Sequence, residues 1–240
     1  MLITQGPQRD ALIDQKLAVT LASIAGGINA AAFYAVGFFS ANMTGNVSAL
    51  SDHLATGNLK GAWLYFAIVA AFILWAAFCA TLLLQGERQG VIGTHAYVVM
   101  LEGLLLAPFV LIDAYSPTEL RIPFLVIGLA FLMGLQNAVV THLSSARVRT
   151  THISGMATDL GIELALAWHL RGKHSQNSET NNTRLRLHLT TMLAFLLGGV
   201  GGVLVYSLIG AMAFVVASAI LFIFGLRGIM VARRRPPGNV

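Results

Sequence analysis

Long stretches without a charged side chain are the feature of this sequence that most restricts its fold. A helix that crosses the hydrocarbon core of a bilayer needs roughly 20 apolar residues. Two runs of this kind are imperfect, because residues 91–112 contain His95 and Glu102 and residues 187–207 are rich in glycine. Four others carry no Asp, Glu, Lys or Arg, namely residues 17–39, 61–84, 122–141 and 208–226.

The composition agrees with a chain that lies mostly in lipid. Only 10% of the residues are charged and 56% are hydrophobic, whereas soluble domains have about 25% charged residues. Because lipid offers no hydrogen-bond partners, backbone that crosses a membrane forms helices or closed barrels. The runs are long and lack the alternation of barrel strands, so they favour helices. We therefore expect an all-α membrane protein with six transmembrane helices.

Lys and Arg are distributed unevenly between the predicted loops. With the N-terminus in the cytoplasm and six crossings, 13 of the 15 basic residues lie in cytoplasmic segments, and only Lys60 and Arg121 lie outside. Such an excess marks cytoplasmic loops. We expect a multi-pass protein of the bacterial inner membrane with both termini in the cytoplasm. The net charge of +5 then needs no nucleic-acid partner.

The N-terminus and the single cysteine argue against several other features. Residues 1–16 mix both charge signs and lack the short apolar region of a cleaved signal peptide, so they are expected to remain as a cytoplasmic segment. Cys79 lies inside an apolar run and has no second cysteine to pair with. The spacing of His and Cys matches no metal-binding motif. We expect no metal, no cofactor and no disulfide.

The two halves of the chain carry similar motifs in the same order. GGINAAAF aligns with MGLQNAVV, NMTGNVSAL with HISGMATDL, and AFILWA with AFLLGG. Each half has three spans, so the second half enters the membrane from the opposite side, as in the inverted repeats of many secondary transporters. We assign residues 17–113 and 121–231 to the two repeats and residues 232–240 to a basic cytoplasmic tail.

A polar segment with the pattern Thr-Gly or Ser-Gly follows the first span of each repeat. Thr44 and Ser154 are suitable N-cap residues, and helical sequences follow both of them. We expect a short amphipathic or re-entrant helix at each place, whose start could hold an anion or a polar solute. The alternative interpretation is that the two residues only cap surface helices. The extra residues of the second half are expected in a loop at 171–186.

The motifs GGINAAAFYAVG, FSANMTGNV, GLQNAVV and RTTHISGMATDLG resemble the YoaK family of bacterial multi-pass membrane proteins. The resemblance extends from residue 17 to residue 226. It implies an inner-membrane protein with about six helices and a domain of unknown function, and it implies no established activity. Trp75 and Ala76 stand where the second half has Gly198 and Gly199, so close helix packing is expected in one half only.

Polar residues inside or beside the spans are the candidate site. Amides in hydrocarbon usually face the interior of a helix bundle. Their alternative role is to hydrogen-bond one helix to another. Glu102 lies in the middle of a span, where a charged carboxylate is costly, and we consider it, with Asp159, for proton coupling. The candidate substrate-binding residues are Asn29, Thr44, Gly45, Asn46, Gln136, Asn137, Ser154 and Gly155.

The sequence therefore predicts a small-solute secondary transporter or permease-like protein. Arg147 and Arg149 could attract an anionic solute, or they could act only as positive-inside anchors. A non-transporting membrane sensor or assembly component is the alternative function. No catalytic fingerprint is present, so we do not expect an enzyme. The expected partners are the lipid bilayer and a small polar or anionic solute, and self-association into a homo-oligomer is left open.

Overall fold

The computed structural model describes Leu2, residues 10–170 and residues 176–234, and within these residues it contains α-helices and no strand. The described helices are α1 (Ala11–Val36), α2 (Met43–Ala55), α3 (Leu59–Arg88), α4 (Thr94–Leu106), α5 (Phe109–Tyr115), α6 (Thr118–Ser144), α7 (Ile153–His169), α8 (Gln176–Ile209) and α9 (Met212–Arg233). Six helical segments are long and apolar enough to cross a membrane. The predicted all-α fold with six spans is confirmed at this level.

One of the six segments is made of two helices. The segment Thr94–Tyr115 consists of α4 and α5, which are separated at Ala107 and Pro108. Proline has no N–H to continue the helical hydrogen bonds, so an interruption at this place is expected physically. The prediction of one continuous helix over this segment is therefore wrong.

The helices α1 and α6 form the centre of the bundle. Helix α1 packs mainly along α8, α6 packs along α3, and α4 packs along α9. The short helix α2 lies against α3, and α7 lies against α8. The bundle interior is built from apolar side chains of α1, α4 and α6, among them Leu21, Val99 and Leu132, which are fully buried. The residues predicted for the site are thus carried largely by the two central helices and the segments that follow them.

The outer helices expose large apolar side chains along much of their length. Trp63 and Leu74 of α3 and Leu197 and Leu208 of α8 are each at least two-thirds exposed. A water-soluble protein would have to cover apolar surface of this extent. This surface is suited to lipid, and the protein is a multi-pass membrane protein in contact with the bilayer.

Two details of the sequence analysis need correction or restriction. The segment 171–186 was expected to be a loop, but α8 already begins at Gln176, and Asn181 donates a hydrogen bond to the Glu163 carbonyl of α7 at 2.9 Å. This contact between the two helices explains why a polar sequence is helical here. Some of the basic residues used for the orientation lie outside the described residues, namely Arg9, Arg171, Lys173 and Arg235.

Candidate functional site

Asn29 of α1 holds the segment that leads into α2. Its Oδ1 atom accepts a hydrogen bond from the Ala41 N–H at 2.8 Å and one from the Ser40 hydroxyl at 3.4 Å. Asn29, Ser40 and Ala41 are all buried. The amide therefore ties the start of the first polar segment back onto the central helix that precedes it.

Asn137 of α6 has the corresponding role in the second half. Its Oδ1 atom accepts a hydrogen bond from the Thr151 hydroxyl at 2.8 Å, and its Nδ2 donates to the Met133 carbonyl at 2.7 Å. Thr151 lies two residues before the start of α7. Both amides thus fix the approach to a short helix by accepting hydrogen bonds from the segment before it.

We expect Asn29→Leu to loosen the first polar segment without loosening the second. The change removes the acceptor for the buried Ala41 N–H, and an unsatisfied buried amide costs about 1–3 kcal/mol. Hydrogen–deuterium exchange should accelerate by about 10-fold or more across residues 38–45. Asn137→Leu is the matched control, since it should accelerate exchange near residues 149–153 and leave 38–45 unchanged. If each variant accelerated exchange equally in both segments, the two asparagines would not anchor the segments separately.

The starts of α2 and α7 differ from the prediction by two residues. Asn42, not Thr44, is the N-cap of α2, and its Oδ1 accepts from the Gly45 N–H at 3.1 Å. His152, not Ser154, is the N-cap of α7, and it makes no side-chain capping hydrogen bond. Thr44 and Ser154 lie in the first turns of their helices. The prediction chose the hydroxyl residues because they are good caps, but asparagine is equally favoured at this position.

Gly45 and Gly155 make room for the side chains that precede them. An added Cβ atom at Gly45 would lie 2.5 Å from the Asn42 Nδ2, and one at Gly155 would lie 2.5 Å from the His152 ring. Both glycines therefore have a local packing role at their helix starts. The sequence predicts both glycines as substrate-binding residues, and neither lines the cavity.

The two helix starts line one common cavity of about 560 Å³. The central amides Asn29 and Asn137 also line it, together with one phenylalanine each from α3 and α8, Phe72 and Phe195. The remaining lining residues are Phe39, Ala41, Asn42, Met43, Thr44, Thr141, Arg149, Thr151, His152, Ile153 and Ser154. The structure thus brings together four residues that the sequence analysis placed at a shared site: Asn29, Thr44, Asn137 and Ser154.

Several lining residues were not predicted for the site. Asn42, Thr141 and Thr151 are polar neighbours of the predicted residues, and their proximity to the motifs was a usable signal. Phe72 and Phe195 occupy equivalent places in the aligned motifs AFILWA and AFLLGG. The alignment of these motifs predicts the repeat, and it could also have predicted that the two phenylalanines occupy equivalent places in the cavity.

Several other predicted residues do not line the cavity. Asn46 is buried in α2, and its Nδ2 lies 3.4 Å from the Phe39 carbonyl. Asp159 is exposed on α7. Gln136 is fully buried and donates from Nε2 to the Glu102 Oε1 at 3.0 Å. Glu102 is fully buried as well, and neither Glu102 nor Gln136 lines the cavity.

Two contacts hold the first part of the segment between α6 and α7. The Ser144 hydroxyl accepts from the Val148 N–H at 3.0 Å, and Arg147 forms an ion pair with the buried Asp14 of α1 at 3.1 Å. Arg147 therefore binds α1 and does not line the cavity. Arg149 does line it, and its Nη1 lies 3.1 Å from the His152 Nδ1. Of the two arginines predicted to attract a solute, only Arg149 lines the cavity.

Six helical segments that are long and apolar enough to cross a bilayer define a multi-pass α-helical membrane protein. The chain belongs to the DUF1275 family of proteins of unknown function, which matches residues 17–226. This family assignment confirms the resemblance predicted from the motifs. No curated protein and no solved structure matches the chain.

Proposed function

We propose that the protein is a secondary transporter or permease-like protein for a small solute, and that the solute binds in the cavity between the two halves. The observation that carries the proposal is that the starts of α2 and α7, which follow the first span of each half, line the same cavity with Asn29 and Asn137. A volume of about 560 Å³ is within the range of small-molecule sites, roughly 300–1,000 Å³.

Helix packing supports an internal duplication. At Gly26 of α1, an added Cβ would lie 2.1 Å from the Phe195 carbonyl oxygen of α8. At Gly134 of α6, it would lie 2.3 Å from the Phe72 carbonyl oxygen of α3. Gly26 pairs with Gly134 when Asn29 is aligned with Asn137, and the aligned motifs AFILWA and AFLLGG pair Phe72 with Phe195. The same contact is therefore made twice, each time between a central helix of one half and an outer helix of the other.

The crossing order supports an inverted arrangement with re-entrant helices. If the six spans cross in turn, α2 follows α1 on one side of the membrane and α7 follows α6 on the other. Because residues at the starts of both short helices line one cavity, each start would enter the bundle from its own side. This is the geometry of transporters in which half-helix N-termini point at a central substrate. The inner membrane and cytoplasmic termini remain part of this proposal.

The lining favours a polar or anionic solute. Helix starts carry partial positive charge and free N–H groups, and Arg149 adds a full positive charge. Thr44 and Ser154 are exposed to the cavity and can donate or accept hydrogen bonds. We propose no catalytic step, since recognition of a solute is all that these groups need to supply.

Glu102 is the proposed proton carrier, acting beside the cavity through Gln136. The Glu102 Oε2 and the Gln136 Oε1 are buried acceptors without a hydrogen-bond partner among the described residues. A proton on Glu102 would supply the missing donor. Gln136 is adjacent in sequence to Asn137, which lines the cavity, so protonation and solute binding could be linked through α6. Asp159 is proposed only as a secondary candidate, because it is exposed on α7.

Uptake into proteoliposomes tests the proposal. The probes are radiolabelled acetate, phosphate, sulfate and a neutral amino acid, each measured with and without a pH gradient. We expect uptake of at least one anion by the wild-type protein. The double variant Thr44→Val/Ser154→Ala and the variant Arg149→Gln should each lower this uptake by about 10-fold or more, since a hydrogen bond to a charged group is worth about 1.5–3 kcal/mol. In Glu102→Gln, uptake should no longer depend on the pH gradient. Ser51→Ala on the exposed face of α2 and Thr158→Ala on α7 are matched controls.

Uptake that is equal in the cavity variants and the wild type would refute the site. Absence of uptake for every probe would favour the alternative, a non-transporting sensor or assembly component. That alternative has one specific support, because Asn29 and Asn137 both use their side chains to anchor the polar segments.

A further inference from the structure

Three residues with metal-binding side chains meet where three helix ends pack together, and none of the three lines the cavity. Glu87 lies in the last turn of α3, His95 in the first turn of α4, and His142 in the last turn of α6. The intervals of eight and 47 positions between them match no metal-binding motif, which is why the sequence predicted no metal. Only the packing of three different helices brings these side chains together.

Their donor atoms lie at distances suited to one shared cation. The His95 Nε2 is 3.2 Å from the His142 Nδ1, which is 3.7 Å from the Glu87 Oε1. All three donor atoms lie within 4.8 Å of one another. With metal–ligand distances of about 2.0–2.1 Å, two ligands of a tetrahedral zinc ion are roughly 3.3 Å apart. The two shorter distances are close to this value, so a bound ion would require small side-chain movements.

The surrounding chain fixes two of the ligands relative to each other. Gly86 precedes Glu87, and an added Cβ at Gly86 would lie 2.4 Å from the Thr94 side chain. Thr94 precedes His95, and its hydroxyl donates to the Val91 carbonyl at 2.8 Å. The end of α3 and the start of α4 are thus in direct contact, which sets Glu87 beside His95.

The burial of the ligands resembles that of a metal site with an open position. His95 is completely buried, whereas the side chains of His142 and Glu87 are 29% and 35% exposed. A cation could therefore enter from the exposed side and keep one coordination position for water or another small ligand. Two imidazoles and one carboxylate form a ligand set typical of zinc with an open fourth position.

We propose that Glu87, His95 and His142 bind one divalent transition-metal ion, Zn²⁺ being the ion that the ligand set favours. The ion would link the ends of α3, α4 and α6. This site is separate from the proposed solute cavity, and the proposal does not depend on transport.

Metal binding by the purified full-length protein tests this site. The affinity tag is removed, the protein is treated with a chelator, and Zn²⁺ is titrated in competition with a chromogenic chelator in detergent. We expect one Zn²⁺ to bind per chain and to raise the melting temperature of the protein. With Co²⁺ in place of Zn²⁺, we expect the absorption spectrum of a tetrahedrally coordinated ion. Glu87→Gln and His142→Gln should each weaken binding by about 100-fold or more, since even outer-shell changes weaken metal binding by about 10–100-fold.

The choice of variants separates loss of a ligand from loss of the fold. Glu87 and His142 are partly exposed, and their variants should keep the wild-type melting temperature without metal. His188→Gln is the matched control, because His188 also lies beside a carboxylate, at 3.0 Å from the Glu163 Oε1, and among the described residues no second imidazole joins this pair. Its zinc affinity should equal that of the wild type. Wild-type protein that binds no Zn²⁺ at micromolar concentration, or unchanged binding in both ligand variants, would overturn the proposal.

Discussion

Gly198→Ala should lower the melting temperature of the protein in detergent by roughly 6–12 °C, corresponding to about 3 kcal/mol of overpacking. The added Cβ would lie 2.0 Å from the Ser23 carbonyl oxygen of α1 and 2.6 Å from its Cα. These are backbone atoms, so no side-chain rotation relieves the clash and the two helices must separate. Thermal unfolding followed by size-exclusion chromatography with fluorescence detection measures the effect.

Gly201→Ala is the matched control in the same helix. Nothing lies within 4 Å of the position that its Cβ would occupy, and alanine is the better helix former. Its melting temperature should equal or slightly exceed that of the wild type. A Gly198→Ala protein as stable as Gly201→Ala would show that α1 and α8 are not packed as closely as described.

Arg121→Gln should produce the second large loss of stability, on the order of 3 kcal/mol, because it removes the cation that accompanies a buried carboxylate. Asp113 at the end of α5 is nearly inaccessible. Its Oδ1 accepts a hydrogen bond from the Arg121 Nε at 2.7 Å and lies 2.6 Å from the Arg121 Nη2 in the ion pair. The Tyr206 hydroxyl of α8 donates to the other oxygen. The cluster joins three helices, so its loss should loosen one whole end of the bundle.

Lys60→Gln serves as the control for a change of net charge. Lys60 is exposed and, on the predicted topology, lies on the same side of the membrane as Arg121. Its substitution should change the melting temperature by less than about 1–2 °C, since exposed charges contribute little. Tyr206→Phe removes one hydrogen bond and should have an intermediate effect. Equal melting temperatures for Arg121→Gln and Lys60→Gln would argue against the buried ion pair.

The helices could be predicted because their cause is local. A run such as residues 61–84 has no charged side chain to keep it in water, and its backbone must then be hydrogen-bonded within a helix. The break at Pro108 follows from the missing N–H of proline, and it could have been included. The helical start of α8 could not be predicted, because its polar sequence is stabilised by a tertiary contact, the hydrogen bond from Asn181 to the Glu163 carbonyl.

The candidate site could be predicted in part because similar polar motifs occur in both halves of the sequence. Equivalent asparagines and equivalent polar segments directed attention to Asn29, Thr44, Asn137 and Ser154, which line one cavity. The caps were misplaced because local preference does not distinguish neighbouring candidates such as Asn42 and Thr44. Gln136 could not be separated from Asn137, since the sequence does not show which side of α6 faces Glu102.

The sequence by itself determined the number of spans, the family and the positions of the polar segments, because hydrophobicity and hydrogen-bonding needs act along the chain. Tertiary structure alone decided which polar groups meet. Helices that are apolar on all sides carry little information on how they are rotated. Asp113 with Tyr206, Glu102 with Gln136, and Glu87 with the two histidines therefore become partners only when close packing at glycines sets that rotation.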